Sequence, residues 1–301
     1  MYGIPELQQL KTTTLITKGW SDEEKYLIEM ESGEKRLLRV SDIASYEKKQ
    51  HDFLQMKEIA KSGIAMPMPL AFGTCDQGTR VYALFSWCEG EDAADVLPQS
   101  PADVQYKLGV ESGQMLKDIH AIAAPATIEP WESMFNRKID KKLALYAECG
   151  VVVDGVQPII DYLEANRDLL ANRPQSFHHG DYHIHNMVVS DNRTLSIIDF
   201  NRADYGDPWE EFNRIVWCAS VSSPFATGRL HGYFGGEPPE LFFRLMALYI
   251  SSNALSSIAW AIPFGDAQLE VMTRQLNEIL TWYDDMNLII PSWYHANYVS
   301  K

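Results

Sequence analysis

Over roughly the first ninety residues short apolar runs alternate with turn residues. Leu10 to Thr17, Tyr26 to Met30 and Arg36 to Val40 read as strands, separated by Gly19-Trp20-Ser21-Asp22 and Ser32-Gly33-Glu34, which predicts a meander. From Ile43 to Ser62 the apolar positions Tyr46, Phe53, Met56 and Ile59 recur among charges, and Gly63 follows. That is the spacing of a helix with a glycine stop. Two further strands are predicted around Ala71-Phe72 and from Val81 to Trp87.

Beyond Gly90 the spacing becomes helical, over Val104 to Ala121, Ile139 to Ala147, Ile159 to Leu170, Phe212 to Val221, Glu240 to Trp260 and Leu269 to Ile290. The only clear strands there are Met187 to Ser190 and Leu195 to Asp199, with Asp191-Asn192-Arg193 as their turn. The pattern predicts an α+β protein of two lobes: a small antiparallel-sheet lobe over residues 1–88 and a mostly helical lobe over 89–301.

Composition narrows the partners. Acidic residues outnumber basic ones by 41 to 26, a formal charge of −15, which disfavours nucleic acid and favours a cationic ligand. The four cysteines are scattered without a C-x-x-C pair, as expected for a reducing cytoplasm rather than a disulfide or zinc framework. The first fifteen residues lack a signal-peptide core and nowhere do 18 apolar residues run together, so neither export nor a membrane span is expected.

The segment richest in chemistry is His179-Gly180-Asp181-Tyr182-His183-Ile184-His185-Asn186, followed after the hairpin by Ile198-Asp199-Phe200. Transfer of a γ-phosphoryl group needs positioning more than covalent help, so a few oxygen-bearing groups suffice. Asp181 and Asn186 are five residues apart in a loop, and Asp199 ends a strand that a hairpin returns toward it. Asn186 and Asp199 offer the hard oxygens that Mg²⁺ prefers, while Asp181 is left to face an acceptor hydroxyl as base or orienting group.

These motifs resemble the aminoglycoside and antibiotic phosphotransferase family, which shares the protein-kinase-like fold with choline kinases. The family's H-G-D-x-x-x-x-N loop falls on His179 to Asn186 and its I-D-[WF] strand on Ile198 to Phe200, and the resemblance covers nearly the whole chain. It implies Asp181 as the catalytic aspartate, Asn186 and Asp199 as magnesium ligands, and ATP or GTP as phosphate donor. The family's G-D-P-x-x-D segment is written here Gly206-Asp207-Pro208-Trp209-Glu210-Glu211, with Glu211 in place of the final aspartate.

In kinases of this shape a basic residue on the third strand holds the α/β-phosphates and an acid on the neighbouring helix steadies it. Arg39 occupies the basic position, and for the acid Asp52 fits the register best, with Glu47 on the same helix as the alternative. Gly19 and Ser21 stand where a phosphate-covering turn would lie, and Ser86, Trp87 and Cys88 form the connector whose backbone would meet the base. The acceptor is expected to be a small cationic hydroxyl compound, an aminoglycoside or alternatively a choline- or sugar-type metabolite. Asp204, Glu210, Asp266, Asp284, Asp285, Trp260, Trp282 and Tyr283 are available to line its site.

Two rival readings remain. Four histidines, His178, His179, His183 and His185, crowd one loop and with Asp181 suggest a metal enzyme, but that leaves Asn186, Asp199 and Arg39 unused. A catalytically silent nucleotide-binding regulator would lack a catalytic group, and all three are present.

Overall fold

The computed structural model describes residues 2–18 and 23–298. The chain forms two compact units. One takes the chain as far as Glu91 and again from Met187 to Asn201; the other runs from Asp92 to Asn186 and from Arg202 onward.

The first unit is built on a five-stranded antiparallel sheet of order β1-β2-β3-β5-β4, with β1 Leu10–Ile16, β2 Glu24–Met30, β3 Lys35–Asp42, β4 Pro69–Cys75 and β5 Arg80–Ser86. Strand side chains alternate between faces. Leu38 and Val40 therefore join Ile28, Met30, Leu84 and Tyr82 in one apolar cluster with Ile4 and Leu7, while Arg39 and Ser41 face the other way. On that second face lies α1 (Tyr46–Ala60), whose Phe53 packs its ring 5.4 Å from Phe72 and 5.6 Å from Phe85. The helical pattern predicted from Ile43 is divided: Asp42 caps a 3-10 turn, Ile43–Ser45, before α1 begins. Gly63 then ends the helical stretch at φ +78°. The hairpin of β8 (Met187–Val189) and β9 (Leu195–Ile197) belongs to this unit, with the two-residue β6 (Glu91–Asp92) flanking β8. Ile197 donates its amide to the Ala65 carbonyl.

The second unit holds α2 (Ala93–Val96), α3 (Ala102–His120), α4 (Trp131–Glu148), α5 (Gln157–Ala165), α6 (Ile215–Val221), α7 (Ser223–Phe234), α8 (Glu240–Ala261) and α9 (Asp266–Trp282). Two short strands, β7 (Ser176–His178) and β10 (Asp204–Gly206), pair antiparallel beside the helices. The window around α8 is long and apolar enough to cross a membrane by composition, yet 67% of it is buried in the unit, where it serves as the central core helix.

Four elements differ from the sequence expectation. β7 and β10 carry no sequence signal, because three-residue strands are too short for alternation to register. α7 carries Gly228 and Gly232 in its interior, which reads as loop. Its ends are conventional: the Ser222 hydroxyl accepts from the Phe225 amide and Gly235 closes it at φ +74°. The glycines serve contact. A Cβ at Gly228 or Gly232 would overlap the carbonyl oxygens of Tyr106 and Val110 on α3, and one at Gly109 or Gly113 of α3 would overlap those of Phe225 and Arg229 on α7. The two helices thus meet backbone to backbone, each lending a small-x-x-x-small stripe. Finally, α9 stops at Trp282 rather than reaching Ile290. Asp284 adopts φ +47° and the Asp285 amide returns to the Leu280 carbonyl, so an aspartate fills the left-handed capping position usually marked by glycine.

Candidate active site

In the second unit β7 delivers the chain into the loop His179–Asn186, and the loop is held from several sides. Glu211 accepts hydrogen bonds from the amides of His179 (2.9 Å) and Gly180 (2.7 Å). Gly180 sits at φ +81°, where a Cβ would also strike the Arg202 carbonyl, so glycine is required twice over. His179 is buried, and its Nδ1 accepts the Asp181 amide at 3.2 Å. Beneath the loop the fully buried Tyr182 donates its hydroxyl to the Ser112 carbonyl (2.7 Å), and Arg229 donates to the Tyr182 carbonyl (3.2 Å). Ser112 and Arg229 stand at the α3–α7 seam, so the seam sets the height of the loop.

Asp181 is the one acid of the loop, and three cationic or polar side chains stand around it at ion-pair distance. Its Oδ1 lies 3.3 Å from His183 Nε2 and 3.4 Å from Arg214 Nε, and Oδ2 lies 3.9 Å from Arg202. His183 Nδ1 accepts the His185 amide, so the neutral ring carries its proton on Nε2, facing Asp181. Burial alone would raise the Asp181 pKa, but His183, Arg214 and Arg202 together hold it well below the usual carboxylate range. The group is therefore an ionised hydrogen-bond acceptor. Asn186 Nδ2 donates to the Asp181 carbonyl at 2.9 Å, which ties down the amide nitrogen and leaves Oδ1 as the free atom of the side chain.

Behind the loop lies a buried polar network. Glu211, 3% exposed, also receives His120 Nε2 at 3.0 Å, while His120 Nδ1 faces the Tyr233 hydroxyl at 2.9 Å. Burial would push the Glu211 pKa up, but His120, His178 and His179 bring it down to about 2. His178 has an acceptor at each nitrogen, the Asp207 carbonyl at 2.9 Å and Asp204 Oδ1 at 3.4 Å, so both nitrogens carry protons. Against the cost of burial, Asp204, Glu211 and Glu210 push it up to about 9. Asp207 is fully buried and bridges Arg173 (2.6 Å and 3.0 Å), the Tyr249 hydroxyl and the Trp209 amide. Glutamate at 211 is thus compatible with a two-pronged grip on the loop.

In the first unit Arg39 is paired, but with Glu23 rather than with Asp52 or Glu47. Arg39 Nε donates to Glu23 Oε2 at 2.7 Å, Nη2 contacts the same oxygen, and Nη1 lies 3.8 Å from Asp199 Oδ1. Lys49 and the Ser41 hydroxyl (2.9 Å) hold Glu23 Oε1. Burial opposes ionisation of Glu23, but Arg39 and Lys49 bring its pKa down to about 2. Asp52 lines the same small cavity with Phe53 and Asn201 but makes no ion pair to Arg39, and burial raises its pKa. The reason is reach: antiparallel pairing of Glu24 with Val40 puts Glu23 across from Ser41, on the face that Arg39 shares. Asp199 stands at φ +68°, largely exposed, with Asn201 Nδ2 donating to its Oδ1.

Gly19 and Ser21 lie outside the described residues. In the connector the amides of Ser86 and Trp87 donate to the carbonyls of Met68 and Lys35. Burial raises the Cys88 thiol to about 11. Among the described residues no three His, Cys, Asp or Glu side chains are grouped to hold a metal ion. Of the acceptor candidates, Tyr283 is fully buried and packs in the core.

Two units, one an antiparallel sheet with a single packed helix and the other mainly helical with the H-G-D loop, define the protein-kinase-like fold. Residues 12–243 match the phosphotransferase enzyme family (APH), and the chain belongs to that family. Solved structures agree on the fold. A choline/ethanolamine kinase family protein from Mesorhizobium loti matches with a TM-score of 0.67 at 15% identity, over 95% of this chain and 94% of that one. A thermostable mutant of aminoglycoside phosphotransferase APH(4)-Ia matches at 0.65 and 14%, over 90% and 94%. The GDP complex of aminoglycoside 2'-phosphotransferase-IIIa matches at 0.65 and 14%, over 94% and 95%. No curated protein matches by sequence.

Proposed function

We propose that the protein is a kinase that transfers the γ-phosphate of ATP or GTP to a hydroxyl of a small cationic molecule such as an aminoglycoside. The observation that carries this reading is Asp181: an ionised carboxylate flanked by His183 and Arg214 on a loop that Glu211 clamps. In this reading the acceptor hydroxyl donates a hydrogen bond to Asp181. The hydroxyl oxygen bonds to the γ-phosphorus as the bond to the β–γ bridging oxygen breaks, and the proton passes to Asp181 as the new P–O bond forms. The depressed pKa suits orientation and late proton acceptance rather than early abstraction.

Asn186 and Asp199 are the proposed Mg²⁺ ligands. Both offer hard oxygens, and the tether on the Asn186 nitrogen leaves its oxygen available. Magnesium, when bound with nucleotide, would neutralise charge on the phosphate oxygens. Arg39 is assigned to the α/β-phosphates and the connector Ser86 to Cys88 to the base, whose contacts there would run through the backbone.

The net charge of −15 supports a cationic acceptor. Four unpaired cysteines suit a reducing, cytoplasmic setting. Because a choline/ethanolamine kinase family protein is as similar in fold as the aminoglycoside enzymes, a choline- or sugar-type metabolite is the alternative acceptor. A coupled nucleotide-consumption screen against aminoglycosides, choline-type amines and sugars, with ATP and with GTP, tests the proposal. Stimulation by one class identifies the acceptor; no stimulation by any hydroxyl compound would leave a silent nucleotide binder.

A further inference from the structure

We propose that Glu23 and Lys49 are positioning residues of the phosphate-binding centre, forming an Arg39–Glu23–Lys49 relay in which the residue immediately before strand β2 supplies the acid and helix α1 supplies a second cation. This inference rests on the nucleotide-dependent kinase reading and adds to it the residues that hold Arg39.

The geometry is asymmetric in a useful way. Glu23 takes the Nε–Nη2 edge of the Arg39 guanidinium, which fixes the plane of the group. Nη1 is left on the opposite side, 3.8 Å from Asp199, presenting its N–H donors where a metal-bound polyphosphate would be held. The second Glu23 oxygen is occupied by Lys49 and Ser41, so the carboxylate has no freedom to swing away from Arg39. All three charged groups are largely shielded, with side-chain exposures of 12% for Arg39, 9% for Glu23 and 21% for Lys49. Such shielding strengthens the links relative to exposed ion pairs. Glu23 thus faces two cations, and Nη1 is the guanidinium nitrogen that it leaves uncovered.

The polarity is the reverse of the arrangement in which a helix acid steadies a strand cation. There the link forms only when the helix is in place. Here Glu23 immediately precedes β2, so the Arg39–Glu23 link sits at the end of the β2–β3 ladder, whose pairing covers Glu24 to Glu29 against Lys35 to Val40. The helix joins as a cation through Lys49. The orientation of Arg39 is thus set by sheet register, and α1 adjusts it through one lysine.

The test measures binding of ATP, GTP and the parent nucleosides to the full chain by calorimetry, together with steady-state kinetics once an acceptor is found. Glu23→Gln should weaken nucleoside triphosphate binding at least about tenfold, leave nucleoside binding within about twofold, and raise KM more than it lowers kcat. Glu23→Asp should recover part of the loss, and Lys49→Met should give a smaller loss of the same kind. In an Arg39→Met background Glu23→Gln should add little. Wild-type triphosphate binding in Glu23→Gln, or an undiminished loss in the Arg39→Met background, overturns the relay. A loss seen in Asp52→Asn but absent from Glu23→Gln returns the role to the helix acid and also overturns it. A wild-type chain that binds neither nucleotide removes the kinase reading itself, and the relay with it.

Discussion

The Glu211 carboxylate lies 2.7 Å from the Gly180 amide and 2.9 Å from that of His179, so a residue 31 positions downstream fixes the backbone immediately before Asp181. The same carboxylate takes the His120 ring, which joins the loop to α3. An acid in this position is a backbone clamp, and its value lies in what it prevents: two buried N–H groups left without acceptors.

Glu211→Gln replaces an acceptor pair by one acceptor and one donor, so one amide loses its partner. The expected cost is about 1–3 kcal/mol of stability, with a fall in kcat larger than any change in nucleotide affinity. The acid limb of stability should also change. The folded pKa of about 2 lies below the unfolded carboxylate value, so the stabilisation is present above about pH 4.3 and is lost as pH falls toward 2. Chemical denaturation between pH 7 and pH 3 should show a steeper acid loss in the wild type than in the variant.

Asp181→Asn should lower kcat by at least about a hundredfold while nucleotide affinity stays near wild type. Asp199→Ala, in contrast, should abolish Mg²⁺-dependent nucleotide binding. Wild-type turnover in Asp181→Asn would remove that residue from the reaction.

Arg214 stands 3.4 Å from Asp181 and helps to keep it ionised. Arg214→Gln takes away one of the stabilising charges, so the Asp181 pKa should rise. The acid limb of the kcat profile should then move to higher pH, because the ionised form is the competent one. An unmoved limb would show that Arg214 does not control the charge of Asp181.

His178 works in the opposite sense. Its folded pKa of about 9 lies above the unfolded value near 6.5, so its contribution is complete below about pH 6.5 and disappears as pH rises through 9. Thermal denaturation of His178→Asn should lack the alkaline loss seen in the wild type between those values. NMR titration of the imidazole checks the protonation state directly.

The loop motif was legible because Asp181, Asn186 and Asp199 are spaced along a continuous stretch of sequence, and the meander was legible because turn residues separate its short apolar runs. Glu23 was hidden for a physical reason. It lies 16 residues before Arg39, and only the pairing of Glu24 with Val40 reveals that the two share a face. Asp52 fits the helix register, but the side chain of that helix that contacts Glu23 is Lys49. Arg214 and Arg202 carry no motif of their own; they matter through folding that brings them against Asp181. The four glycines of α3 and α7 illustrate the converse problem: they weaken the local helix pattern in order to allow a tertiary contact.

Gly113→Ala or Gly232→Ala tests that contact. Each would force the two backbones apart, at an expected cost of about 1–3 kcal/mol or more. Because Ser112 and Arg229 sit at this seam and hold Tyr182, kcat should fall together with the denaturation midpoint. A methyl group accommodated at full stability and full rate would mean that the seam is loose.

A side-chain interface has slack, since rotamers can turn to absorb a small error in helix position. The α3–α7 seam has none at its four glycines, because each contact there is one main chain against another. It therefore behaves as a datum surface in the engineer's sense, from which Tyr182, and so the neighbouring Asp181, inherits its place through two hydrogen bonds. Variants that adapt the enzyme to a different acceptor would do best to leave that datum untouched and draw their changes from the outer helix faces.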